Sequence, residues 1–93
     1  MKIVRSAVAG TLESSDCIVT VFPSCEGTEL EYSGANSVIF GKRTAALVDD
    51  ILKEYKVTCA RISICDQGAI EITLRARLKA ALERAAGEEG EVR

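Results

Sequence analysis

The chain has 93 residues, 47% of them apolar and 28% charged, with a net charge of −2 and no histidine. Those values describe one small globular domain with a limited core, not a disordered segment. The slightly acidic balance lacks the basic footprint of a general nucleic-acid binder; no apolar run nears the roughly 20 residues of a membrane helix, and no long apolar segment follows Met1–Arg5, so a cytoplasmic protein with no nucleic-acid or membrane partner is expected.

Ala7–Leu12 and Cys17–Phe22 read as the two strands of a hairpin. The second is β-branched and aromatic, and Pro23 closes it. Between them, Glu13-Ser14-Ser15-Asp16 is a polar turn, because serine and aspartate side chains bond nearby backbone groups. Ile18 and Phe22 fall opposite Cys17, Val19 and Val21 on the second strand. That pattern fits a subunit interface on an uncovered sheet face or a central strand buried on both faces. Thr28–Tyr32 alternates, with Leu30 and Tyr32 on one side and Glu29 and Glu31 on the other, as in a half-exposed strand.

After Gly34 the period changes to that of a helix. Phe40, Thr44, Leu47, Val48, Ile51 and Tyr55 make the apolar side, and Lys42, Arg43, Asp49, Asp50, Lys53 and Glu54 the polar one. Asn36 or Ser37 is placed to cap its start, and Gly41 weakens its first turns. Val57–Cys65 returns to period two, with Ala60, Ile62 and Ile64 facing one way and Arg61 and Ser63 the other. Asp66 is the expected N-cap of a last helix whose stripe is Ile70, Leu74, Leu78, Ala81, Leu82 and Ala85, with Gly87 ending it. The order β-β-β-α-β-α predicts an α+β fold: a small, mainly antiparallel sheet with two helices packed on one face. One domain spans 1–87, and 88–93 is a short charged tail expected to fray.

Without histidine, the chain has no Ser-His or Cys-His nucleophile pair and no histidine base. Glu13 and Asp16 bracket the serines as an acid/base pair would, but carboxylates at a wet hairpin tip keep near-ordinary acidity and read as solvated turn residues. No phosphate-binding loop or dinucleotide fingerprint occurs. Cys17, Cys25, Cys59 and Cys65 form no close pair of the zinc-binding kind, and in a cytosolic chain they read as reduced, structural residues. The serines are therefore better read as residues another enzyme acts upon, although serine in a turn is commonly only a turn former. Arg75, Arg77, Lys79 and Arg84 on the last helix are either a solvated face or a place to hold phosphates or dock a partner.

Met1-Lys2-Ile3 followed by Ala7-Val8-Ala9-Gly10-Thr11-Leu12-Glu13-Ser14-Ser15-Asp16 closely resembles the amino terminus of the citrate lyase acyl carrier proteins, the γ subunits of those complexes. The similarity returns in Asp66-Gln67-Gly68-Ala69 and Leu74-Arg75-Ala76-Arg77-Leu78, and in length and element order, so it covers nearly the whole chain. The A-G-T-L-E-S stretch is its most specific part. The resemblance implies a non-catalytic carrier whose attachment residue is Ser14, which would hold 2'-(5''-phosphoribosyl)-3'-dephospho-coenzyme A through a phosphodiester. The terminal thiol of that arm would carry acetyl and citryl thioesters. The implied partners are the citrate lyase α subunit, which exchanges acetyl for citryl, and the β subunit, which releases oxaloacetate. A prosthetic-group transferase and an acetylating citrate lyase ligase complete the set. Residue physics alone does not separate Ser14 from Ser15; the resemblance selects Ser14. No D-S-L motif of the helical carrier proteins occurs, and here the serine lies on a hairpin. An equivalent carrier of citramalate lyase or malonate decarboxylase, or an unmodified interaction subunit, are the alternative readings.

Overall fold

The computed structural model describes residues 1–35 and 37–87, and its elements follow the expected order: β1 (Ala7–Gly10), β2 (Cys17–Phe22), β3 (Thr28–Gly34), α1 (Ser37–Glu54), β4 (Ala60–Asp66) and α2 (Glu71–Ala85). Two of the expected features, the cap of α1 at Asn36 or the Ser37 side chain and the tail 88–93, lie outside the described residues.

The strands form one sheet in the order β1-β2-β4-β3. β2 pairs antiparallel with β1 and with β4, while β3 runs parallel to β4, so the sheet is mixed and mainly antiparallel. A parallel pair needs a crossover connection, and α1 supplies it. The register aligns the period-two positions into rows. Ala9, Val19, Ile64 and Tyr32 stand side by side across the four strands, with Ala7, Val21, Ile62 and Leu30 in the next row. Side chains alternate along a strand, so both rows face the same side. α2 lies over β1 and β2, and α1 lies against β3 and α2. Leu47, Val48 and Ile51 from α1 and Leu74, Leu78, Ala81, Leu82 and Ala85 from α2 complete the core.

The opposite sheet face carries no helix among the described residues. Ile18, Thr20 and Phe22 are only half-buried there, and the Arg61 guanidinium lies 4.3 Å from the Phe22 ring centroid. Within this chain β2 is therefore covered on one face, not on both.

The helix ends depart from expectation. Asp66 does not cap α2; it ends β4, and its Oδ1 accepts the N–H groups of Gly68 (2.9 Å) and Ala69 (2.8 Å). Gly68, with φ +96°, turns the chain before the helix can start, so the N-cap falls on Ile70, which has no side-chain cap hydrogen bond. Ile70 consequently leaves the apolar stripe and is exposed. α1 is interrupted at Phe40, whose backbone is non-helical (φ −108°, ψ 16°) next to Gly41. Tyr55 falls just past the end of α1 and donates its hydroxyl to Glu83. At the other end, α2 stops because Ala86 turns extended and pairs with Ile3, before Gly87 is reached. The N–H groups of Val4 and Arg5 both bond Ala85 O, and the Arg5 guanidinium donates to the carbonyls of Arg84 and Ala86. Donors there meet carbonyls that a helix terminus leaves without partners.

Thr44 is fully buried, and its hydroxyl faces that of Tyr32, which in turn donates to Asp66. Removing one member of a buried hydroxyl pair costs about 1 kcal/mol. Thr44→Val is expected to lower unfolding free energy by about 1 kcal/mol in urea denaturation; a gain of stability would mean the hydroxyl has no partner.

Candidate functional site

The connection between β1 and β2 is longer than the expected turn. β1 stops at Gly10, so Thr11 and Leu12 join 13–16 in the loop. Gly10 has φ +102°, and a Cβ there would sit 1.9 Å from Cys17 O, so only glycine lets the two strands part at this point. Thr11 N–H then bonds Cys17 O at 3.1 Å and closes the neck of the loop.

Asp16 organises everything beyond that neck. Its two carboxylate oxygens accept the Arg77 Nε and Nη2 donors, each at 2.9 Å, a bidentate pairing across 61 residues. The same oxygens take the Thr11 hydroxyl at 2.6 Å and the Cys17 N–H at 2.7 Å. The Arg77 bond foremost, then those from Thr11 and the Cys17 backbone, holds the Asp16 carboxyl well below the usual carboxylate range. Asp16 is therefore a half-buried structural anchor, not the solvated turn residue expected beside Glu13. The Cys17 thiol is pushed up to about 11, chiefly by burial, and stays a small neutral core group at neutral pH.

The loop also leans on the segment leading into α2. Ser15 N–H bonds Gln67 O and Gln67 N–H bonds Asp16 O, both at 2.8 Å. Ser15 takes a left-handed backbone conformation, φ 67°, which costs a non-glycine residue about 1 kcal/mol. Glu13 N–H bonds Thr11 Oγ1, and Glu13 O accepts from Asp16 N–H. Glu13, Ser15 and Asp16 are thus tied down. Ser14 lies between them, exposed, and no hydrogen bond engages it among the described residues. The two serines, indistinguishable as sequence, differ here: Ser15 has a backbone role and Ser14 has none.

The basic residues of α2 are each occupied. Arg77 holds Asp16, Arg75 pairs with Glu71 (3.2 Å), Lys79 approaches Glu54 (3.8 Å) and Arg84 donates to Val8 O (2.7 Å). The pairs of Arg75 and Lys79 are solvated and weak. Arg77 is the exception, and its partner is the loop itself. No local motif links residues 16 and 77, so sequence spacing carried no sign of this contact. The four cysteines are free thiols.

The pH dependence has a defined sign. A carboxyl with a lowered folded-state pKa contributes stability that is complete above its unfolded value near 4 and fades as pH falls below it. Comparing wild type with Asp16→Asn by urea denaturation, the stability difference is expected to hold from about pH 7 to 5 and to shrink steadily toward pH 2. A difference that stays constant down to pH 2 would contradict the Arg77 pairing.

Residues 4–85 match the family described as ACP, malonate decarboxylase delta subunit (MdcD). Among curated proteins, the citrate lyase acyl carrier protein of Streptococcus uberis is 38% identical over 87 residues, covering 94% of this chain and 86% of that protein. The protein of the same name from Treponema denticola is 41% identical over 91% of this chain and 97% of its own length. That of Serratia proteamaculans is 44% identical over 91% of this chain and 84% of its own. The matched span takes in the hairpin, its loop and the last helix, and the chain belongs to the family of citrate lyase acyl carrier proteins.

Proposed function

We propose that this chain is the covalent acyl carrier of a citrate lyase complex, with Ser14 as the attachment residue. The observation that carries the reading is the isolation of Ser14: an exposed hydroxyl without hydrogen bonds, between neighbours that are all held in place. A phosphodiester needs only a reachable serine oxygen on a support that does not unfold, and the loop has that form. Attachment forms an Oγ–P bond, breaks the bond from that phosphorus to the leaving group of an activated donor, and passes the hydroxyl proton to a base of the attaching transferase. No described residue bonds Ser14, and the reading assigns the base to the transferase.

The prosthetic group is taken to be 2'-(5''-phosphoribosyl)-3'-dephospho-coenzyme A, whose terminal thiol would present acetyl and citryl thioesters to the α and β subunits. Ser14 anchors it, Asp16 and Arg77 hold the anchor's support, and the chain itself contributes no reacting side chain. A tether of this kind raises the local concentration of the acyl group at more than one active site. The partners are then the α and β subunits, the transferase and the acetylating ligase, in a cytoplasmic hetero-oligomer. A malonate decarboxylase carrier is the second reading, favoured by the description of the matching family; the identity of the acyl group loaded separates the two.

The test is intact mass and peptide mapping after incubation with a citrate lyase prosthetic-group transferase and its activated donor. One increment equal to the prosthetic group, on Ser14, is expected. Ser14→Ala should take none. Ser15→Gly, which suits the left-handed backbone at that position, should be modified at close to the wild-type rate. An increment on Ser15, or none with a transferase active on a known carrier, would overturn the reading.

A further inference from the structure

Three large apolar side chains stand exposed around the Ser14 loop: Leu12 at 60%, Ile70 at 66% and Ile72 at 72%. Leu12 lies in the loop itself. Ile70 and Ile72 flank the start of α2, three and five residues after Gln67, whose backbone is bonded to Ser15 and Asp16. With Glu71 and Arg75, the two isoleucines line a shallow apolar depression.

These side chains add little to the core where they are. Ile70 occupies the N-cap of α2, where serine or aspartate would satisfy a free backbone N–H and isoleucine cannot. Ile72 puts a β-branched residue, a weak helix former, in the first turn with its side chain in water. Nearby charges largely cancel, since Arg77 is paired with Asp16 and Arg75 with Glu71. The patch is thus apolar, close to the attachment serine, and costly to local structure. Sequences break local rules of this kind at functional surfaces.

We propose that Leu12, Ile70 and Ile72 form the surface on which the enzyme that attaches the prosthetic group docks. This rests on the carrier reading given above. The choice of partner follows from reach. Once the arm is attached, an enzyme acting on its far end need not approach Ser14. The attaching transferase must bring its own active site to Ser14 Oγ, and so must cover the side chains around it. Its matching surface is an apolar rim on an active-site cleft.

The experiment measures kcat and KM for attachment to the full chain, with a citrate lyase prosthetic-group transferase and activated donor. Leu12→Ser, Ile70→Ser and Ile72→Ser are compared with wild type. Val4→Ser is the control, an exposed apolar residue beside Ala85 at the far end of α2, about 20 Å from the loop. Each loop-end variant is expected to raise KM about tenfold, as loss of a buried aliphatic anchor does, with kcat little changed and the control unaffected. Ile70→Ser should at the same time match or exceed the wild-type Tm, because it installs an N-cap. That combination of weaker recognition and undiminished stability has no structural explanation. Unchanged KM in all three variants would overturn the proposal. So would unchanged attachment together with slowed acyl exchange on carriers loaded to completion, which would assign the patch to the lyase subunits. Loss of a wild-type dimer in the variants would assign it to a second copy and overturn it equally. Failure of the wild-type chain itself to accept the group would instead defeat the carrier reading.

Discussion

A carboxylate at the entrance of β2 and a guanidinium on α2 tie this structure together where its site lies. Asp16 accepts two donors from Arg77, one from Thr11 and one from its neighbour Cys17, so nearly every lone pair of the carboxylate is used. Charge-assisted, bidentate contacts are the strong end of the hydrogen-bond range. The contact fixes the loop to the helix that also covers β1 and β2, so the loop cannot shift without disturbing the core. Asp66 does the equivalent work on the adjacent strand. It is the register partner of Cys17, it is fully buried, and it accepts the Tyr32 hydroxyl and the N–H groups of Gly68 and Ala69. Two carboxylates thus finish the paired ends of β2 and β4. The segment leading into Asp16 and the segment leaving Asp66 lock together through Ser15, Gln67 and Asp16.

The consequence is a loop whose adjacent residues are unevenly bonded. Its neck, its base and its far side are all bonded, and the strain of a left-handed Ser15 is carried by those bonds. Ser14 and Leu12 are left open. In the proposed reading, a serine held out from an ordered loop can be modified without unfolding the carrier, and the attached arm supplies the motion. Helical carriers present their serine at a helix start; in that reading a hairpin loop presents it here, with a helix as its buttress.

Much of this could be read from residue patterns because periodicity reports burial directly. Cys17–Phe22 and Ala60–Asp66 alternate because one face of each strand packs under helices, and the i, i+4 stripe of Leu74, Leu78 and Leu82 marks the buried side of α2. Strand order was not legible, since the insertion of β4 between β2 and β3 leaves no local trace. Asp66 misled because aspartate before an apolar run is the usual N-cap signal. Gly68 diverted its carboxylate into a loop turn and passed the cap to Ile70. At the site, the turn and its serines were visible as composition. The pairing of Asp16 with Arg77 was not, because long-range ion pairs have no spacing rule, and it is this pairing that separates a buttressed loop from a solvated one.

The most direct test of the account is a double-mutant cycle on attachment to Ser14, using Asp16→Asn, Arg77→Gln and the double variant. If Asp16 and Arg77 act as one device that positions Ser14, each single change should lower kcat/KM, and the double variant should be no worse than the weaker single one. Losses that simply add, or singles that leave kcat/KM at the wild-type value, would contradict it.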